Sequence, residues 1–473
     1  VENSRVLFAG TRFGKQLYKD KGCVFMVEKK FDLLTTISMI VGICIGSGIF
    51  FKADNVLRDA QGNVLIGILL FFIGAFSIIF GSLTLSQLST RAKKSGGLVG
   101  YFEEFYSGKM GTAFAWFQFF LYLPTINVIV SWVAGIYTLQ LLGYEGTLEL
   151  QIIIAIFYLT FFHVMNHLSM ILGARFQKFS TFVKLIPLIF VAVLGIVTMN
   201  VDTEAVVHTT PEFANVGRFG WLAALGSVAF SYDGWTVILN ISSDVDKPKK
   251  NIPKALIIGP LIVFFVYILY FIGLTEFLGV NAVLEYGQNS IFAIGERIFG
   301  NLGGQIILIF VLISILGVCN GMTIGALKMP EVLRMKNMLP KTKKQASKTS
   351  NVMLSYGICL FWMAIHYLAV RFDFFQGGDI SELAITFSYA CYVLLYARVI
   401  TLYKNKTITS KFYGLVSPIF GMMGSSIILF GSFITSPWFS LLFFAFCLGV
   451  SLLGYFFYKK PAVDSQISDE FSA

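Results

Sequence analysis

Between Phe31 and Tyr458 the chain carries about twelve runs of roughly 20 apolar residues, joined by short polar connections. A run of that length crosses the hydrocarbon of a bilayer as one helix, and in lipid every backbone amide and carbonyl must find its partner inside the protein. The fold class that follows is an all-α membrane protein of twelve transmembrane helices. Composition agrees: of 473 residues 56% are hydrophobic and only 13% charged, too few polar groups to cover a soluble globule. The expected spans are 33–53, 63–88, 112–142, 149–168, 176–199, 220–243, 255–277, 303–327, 351–370, 380–403, 412–433 and 438–458. They form one membrane domain over 31–460, between an N-terminal arm 1–30 and a C-terminal tail 461–473, both expected in the cytoplasm. The first 30 residues are polar and basic and do not read as a cleavable signal.

Charge placement gives the orientation. Arg91, Lys93, Lys94 and Lys109 follow the second span, and Lys247, Lys249, Lys250 and Lys254 the sixth. The loop after the eighth holds Lys328, Arg334, Lys336, Lys341, Lys343, Lys344 and Lys348. The loops expected outside hold only Lys52, Arg58, Arg218, Arg297 and Arg371. Lysine and arginine on one side are the positive-inside pattern of an inner-membrane protein with both ends inside. Topology thus accounts for the net charge of +10, and no nucleic-acid partner is implied. Cys44, Cys319, Cys359, Cys391 and Cys447 fall within spans and Cys23 in the arm, so no disulfide framework is implied.

Two spans carry glycine where a membrane helix can least spare its backbone pairing. In the first, Gly42, Gly46 and Gly48 fall within seven residues; in the sixth, Phe230-Ser231-Tyr232-Asp233-Gly234-Trp235 puts a carboxylate and a glycine near mid-span. First and sixth is the spacing expected if spans one to five and six to ten are inverted repeats. A break in the first span frees amide donors at the start of its second half, where the helix dipole also favours a carboxylate. The carbonyls freed at the ends of the first halves would accept from an ammonium group. Together they describe a free amino acid. The other reading is close helix packing, which Gly67, Gly74 and Gly81 exemplify in span two by recurring every seven residues on one smooth face.

Gly46-Ser47-Gly48-Ile49-Phe50 resembles the first-span signature of the amino acid, polyamine and organocation (APC) superfamily, most closely its L-type amino acid transporter branch and the bacterial homologues of its light subunits. Ser95-Gly96-Gly97, Phe230 to Trp235 and Lys247-Pro248-Lys249-Lys250-Asn251-Ile252-Pro253 agree with it, in span order over roughly 30–460. The resemblance implies the LeuT-type five-plus-five inverted repeat with helices one and six broken and two helices added. Its implied activity is amino acid antiport by alternating access, without a cofactor, on neutral L-amino acids; Asp233, where other members often have a small neutral residue, raises cationic ones as a further expectation. Carried over by position, it implies that the Ser47, Gly48 and Ile49 amides bind the substrate carboxylate and that the Cys44 and Phe230 carbonyls accept from its amino group. It further implies that the Phe230 ring is a gate, and that Ser231, Asp233 and Gly234 face the substrate side chain. Ser86-Gln87-Leu88 departs from the family, many members of which have an acidic residue there. Light subunits carry a cysteine between spans three and four for a heavy chain; Gly143 to Glu149 has none, so no disulfide-linked heavy chain is expected.

Lys184 and Asp233 are the ionisable Lys, Arg, Asp or Glu side chains expected near mid-span, where a charge costs about 2.5–3.5 kcal/mol even on lenient scales. The resemblance makes Lys184 a built-in cation in place of sodium between spans one, five and eight, hence sodium independence. Asp233 admits two readings: recognition of a cationic side chain, or a buried pair with Lys184 or cap of the broken helix. His163 and His167 share a helix face but lack a third ligand nearby in sequence, so no metal site is implied. No Walker, Rossmann or triad motif stands in a credible context, which argues against an ATP-driven pump or a hydrolase. A proton-coupled symporter of the same fold, and a non-transporting sensor of amino acids, remain the alternatives.

Overall fold

The computed structural model describes residues 15–20, 23–28, 31–94, 96–144, 146–198, 220–340, 347–372, 374, 380–435 and 437–458. Most of the arm, the tail 461–473, Ser95, Arg218, Lys341, Lys343 and Lys344 lie outside the described residues. Twelve helices among those described are long and apolar enough to cross a membrane, from Leu33–Phe50 to Ser440–Phe457. Their starts follow the sequence: Asp32, Asn63, Ser107, Thr147 and Ser347 each accept a hydrogen bond from the amide three residues on, so that an otherwise orphaned donor is paired where the chain enters lipid.

Three features depart from the expected spans. The arm holds a two-stranded antiparallel hairpin, Lys15–Asp20 with Cys23–Glu28, ahead of the all-helical region. A helix too short to span, Gly97–Phe105, occupies the connection after span two. Span eight is the inner part of one long helix, Ser290–Met335, kinked at Gly300, whose φ of 68° favours glycine.

Both interrupted spans are broken. The first consists of half-helices Leu33–Cys44 and Ser47–Asp59, with Ile45 and Gly46 extended between them. The sixth runs as Leu225–Tyr232 and Val237–Asn240, parted by a turn at 233–236 in which Gly234 takes φ 93°. Both are well enclosed: in an 18-residue stretch of each, 94% of span six and 76% of span one is buried, as is 83% of span three, against 28% for spans four and twelve, which face outward. Two broken helices thus sit at the centre of the bundle, where freed backbone groups can be met by protein.

The glycines serve both readings. A Cβ at Gly42 would lie 2.2 Å from Thr181 Oγ1 of span five, one at Gly46 2.1 Å from Val318 of span eight, and one at Gly48 2.5 Å from the Ser231 Cα of span six. The first span therefore breaks at Gly46 and uses all three glycines to approach three neighbours. The stripe in span two packs as expected, Gly67 on Phe271, Gly74 on Val228 and Tyr232, and Gly81 on Tyr396.

The lysine-rich face is stapled. Glu103 meets Lys94 at 2.7 Å and Lys336 at 2.5 Å, and Lys328 meets Asp244 at 3.3 Å. Phe31 joins the loop after span six through its amide to the Asp244 carbonyl and its carbonyl to the Asp246 amide, both 2.8 Å.

Candidate functional site

The second half of span one begins without a side-chain cap, because its N-cap is Gly46. Ser47, Gly48 and Ile49 occupy its first turn, where helical geometry gives an amide no carbonyl four residues back. This terminus faces the turn at 233–236, with Gly48 against Ser231. Between the two breaks lies a cavity of about 20 Å³, the room of a single water. Cys44, Gly48, Phe230 and Asp233 line it, with Ile126 of span three, Met322 of span eight and Ile385 of span ten. Ile49, Ser231 and Gly234 are not among the described residues that line it. Ser231 is buried with its hydroxyl on the Ser227 carbonyl, and a Cβ at Gly234 would lie 2.3 Å from Ile43, so both set the approach of span six to span one.

The carbonyls freed by the breaks already have partners. Lys184, wholly buried, donates to the Gly42 carbonyl at 2.6 Å and to that of Ile45, at the end of the first half of span one. A Cβ at Gly317 of span eight would lie 3.4 Å from the ammonium, so Lys184 lies where spans one, five and eight meet. The Tyr267 hydroxyl stands 2.7 Å from both the Cys44 and the Ser231 carbonyls, across the gap between the broken helices. A hydroxyl has one proton, so it donates to one of the two at a time. The Phe230 carbonyl accepts from the Asp233 amide at 3.2 Å within the turn. Each carbonyl keeps a second lone pair.

Asp233 does not pair with Lys184. The Tyr122 hydroxyl stands 2.9 and 2.8 Å from its two oxygens and gives its one proton to them in turn, and Asp233 is 5% exposed. Tyr122 closes the π-helical turn Gln118–Tyr122 of span three, two residues before Pro124. Proline has no amide proton to give the Phe120 carbonyl, and Trp362 Nε1 donates there instead, at 2.7 Å. The proline was the signal in the sequence: a helix distorted at that depth re-aims its neighbours, and a mid-span tyrosine hydroxyl needs a partner. Tyr267 carried only the second of those cues.

Two expectations outside the cavity are refined. Lys52, expected in an outside loop, is buried in half-helix Ser47–Asp59, at 6% exposure. His163 is occupied by the Leu159 carbonyl at 2.8 Å and the Tyr356 ring, while His167 meets Thr349 at 3.4 Å.

A family model described as amino acid permease matches residues 31–458. The serine/threonine exchanger SteT of Bacillus subtilis is 28% identical over 418 residues, 86% of this chain and 92% of its own length. The human cystine/glutamate transporter is 27% identical over 325 residues, 67% of this chain and 63% of its own length. The human large neutral amino acids transporter small subunit 2 is 27% identical over 305 residues, 62% of this chain and 56% of its own length. The matched stretch thus covers less than two thirds of either human relative.

Proposed function

The chain belongs to the amino acid permease family, and from that premise we propose that it is a sodium-independent amino acid exchanger working by alternating access. The observation that carries the reading is the uncapped helix start at Gly46 facing the turn at 233–236 across a small cavity. Amide donors on one side and carbonyls on the other complement the two charged ends of an α-amino acid and little else. The substrate carboxylate takes the Ser47, Gly48 and Ile49 amides. Its ammonium takes the second lone pairs of the Cys44 and Phe230 carbonyls, with the Ser231 carbonyl beside them. The Phe230 ring gates the site. A cavity the size of one water cannot hold an amino acid, so loading requires the half-helices to part, as alternating access does.

The Lys184 ammonium occupies carbonyls that would otherwise suit a metal cation, which supports independence from sodium. Asp233 faces the substrate side chain, with Ser231 and Gly234 positioning its turn. A carboxylate amid apolar walls favours neutral substrates whose side chain donates a hydrogen bond, and admits lysine or arginine. SteT and the human relatives bear names of exchangers or transporters of amino acids, which agrees. The lysine-rich face is assigned to the cytoplasm and the membrane to a bacterial plasma membrane. With no cysteine between Gly143 and Glu149, the protein works without a disulfide-linked heavy chain.

The test is uptake of a labelled amino acid panel into sodium-free proteoliposomes, loaded with unlabelled amino acids or empty. Uptake into loaded vesicles alone is expected. Uptake into empty vesicles driven by an imposed proton gradient would replace exchange by proton symport, a reading favoured by the two ionisable groups buried beside the site.

A further inference from the structure

Lys52 stands four residues beyond Gly48, on the same face of half-helix Ser47–Asp59 and one turn further from the cavity. At 6% exposure the residue as a whole is buried, unlike an interfacial lysine that extends past the helix end into water. It sits 5.5 Å from the centroid of the Phe230 ring, itself 7% exposed and part of the cavity wall. A cation within about 6 Å of an aromatic centroid is drawn to the ring face, the more strongly where water is excluded. Lys52 is engaged beyond this ring as well. Asp54, two residues on, is met by Arg58 at 3.5 Å.

We propose that Lys52 is the latch of the gate on the face opposite the lysine-rich loops. Its ammonium holds the Phe230 ring over the cavity and sets how readily substrate enters and leaves on that face alone. Lys52 is a positioning residue, acting on substrate through the ring, and the proposal rests on the reading of the cavity as the exchange site and of Phe230 as its gate. Half-helix Ser47–Asp59 carries both the carboxylate site and the latch. Opening of that half-helix therefore withdraws the cation and the amide donors together.

The experiment measures KM at each face of the full chain, reconstituted in one orientation, for wild type, Lys52→Met, Lys52→Arg, Phe230→Leu and the double variant Lys52→Met/Phe230→Leu. Lys52→Met should raise KM about fivefold on the face opposite the lysine-rich loops and change it less than about twofold on the other. Lys52→Arg, which also packs on an aromatic face, should restore the wild-type asymmetry. In the Phe230→Leu background, Lys52→Met should have less than about a twofold effect. Equal changes on both faces, no change on either, or an undiminished effect without the ring would overturn the latch. If Lys52→Met is not monodisperse after purification, Lys52→Gln carries the same prediction. Absence of exchange by the wild type would overturn the site reading and the latch with it, whereas wild-type exchange with a symmetric variant overturns the latch alone.

Discussion

Lys184 and Asp233 are two buried charges with different solutions to burial. Lys184 spreads its proton donors over the Gly42 and Ile45 carbonyls, and Asp233 accepts from one tyrosine. Lys184→Ala removes the partner of two buried carbonyls, each costing ~1–3 kcal/mol when left unpaired. Exchange should fall at least about tenfold and the melting temperature should drop; a wild-type rate would remove Lys184 from the mechanism. Asp233→Asn keeps an oxygen for Tyr122 while deleting the charge, so the fold should survive. Uptake of lysine and arginine should be lost with neutral amino acids retained, and an unchanged preference in a competition assay would take Asp233 out of the specificity argument. Both residues were legible in the sequence because a charge at mid-span is rare enough to demand a reason. Tyr122 and Tyr267 were less so: Pro124 marks the distortion beside Tyr122, but a buried tyrosine is also an ordinary core residue, and only the structure shows which group its hydroxyl meets.

At the scale of elements, glycine carried most of the information, in two senses that spacing alone could not separate. The cluster in span one marks a break and three close approaches at once, whereas the seven-residue stripe in span two is packing alone. The stripe supports a paired prediction. A Cβ at Gly74 would lie 2.4 Å from Val228 and 2.7 Å from Tyr232, while one at Gly357 in span nine meets nothing within 4 Å. Gly74→Ala should therefore destabilise by ~1–3 kcal/mol through overpacking. Gly357→Ala should stabilise slightly, because alanine is the better helix former by up to about 1 kcal/mol. Melting curves of the two variants check the opposed signs. The helix Gly97–Phe105 and the outer arm of Ser290–Met335 escaped the sequence reading for one reason: a search for spans is blind to helices too short to cross a membrane, and the kink that ends the second depends on the left-handed conformation of Gly300.

For the whole molecule, the two faces are held differently. On the lysine-rich face, ion pairs tie the helix Gly97–Phe105 to the end of span eight through Glu103. Burial would raise the Glu103 carboxyl, but hydrogen bonds from Lys336 and Lys94 outweigh it and hold the carboxyl below its ordinary value. A depressed carboxylate stabilises the fold above the unfolded value and loses that contribution as pH falls through the folded one. Glu103→Gln should thus melt below wild type at neutral pH, and the gap should close as pH falls past the ordinary glutamate range; a gap independent of pH would make the pairing irrelevant to stability. The opposite face closes on half-helix Ser47–Asp59, where Lys52 sits over the Phe230 ring and Arg58 meets Asp54. On the proposed reading the molecule moves when substrate bridges its broken helices, which is why exchange is the central claim. The direct measurement is efflux of a labelled amino acid from sodium-free proteoliposomes, with the proton gradient collapsed and unlabelled amino acid present or absent outside. Efflux only when external amino acid is present is the predicted result; equal efflux into amino-acid-free buffer would contradict it.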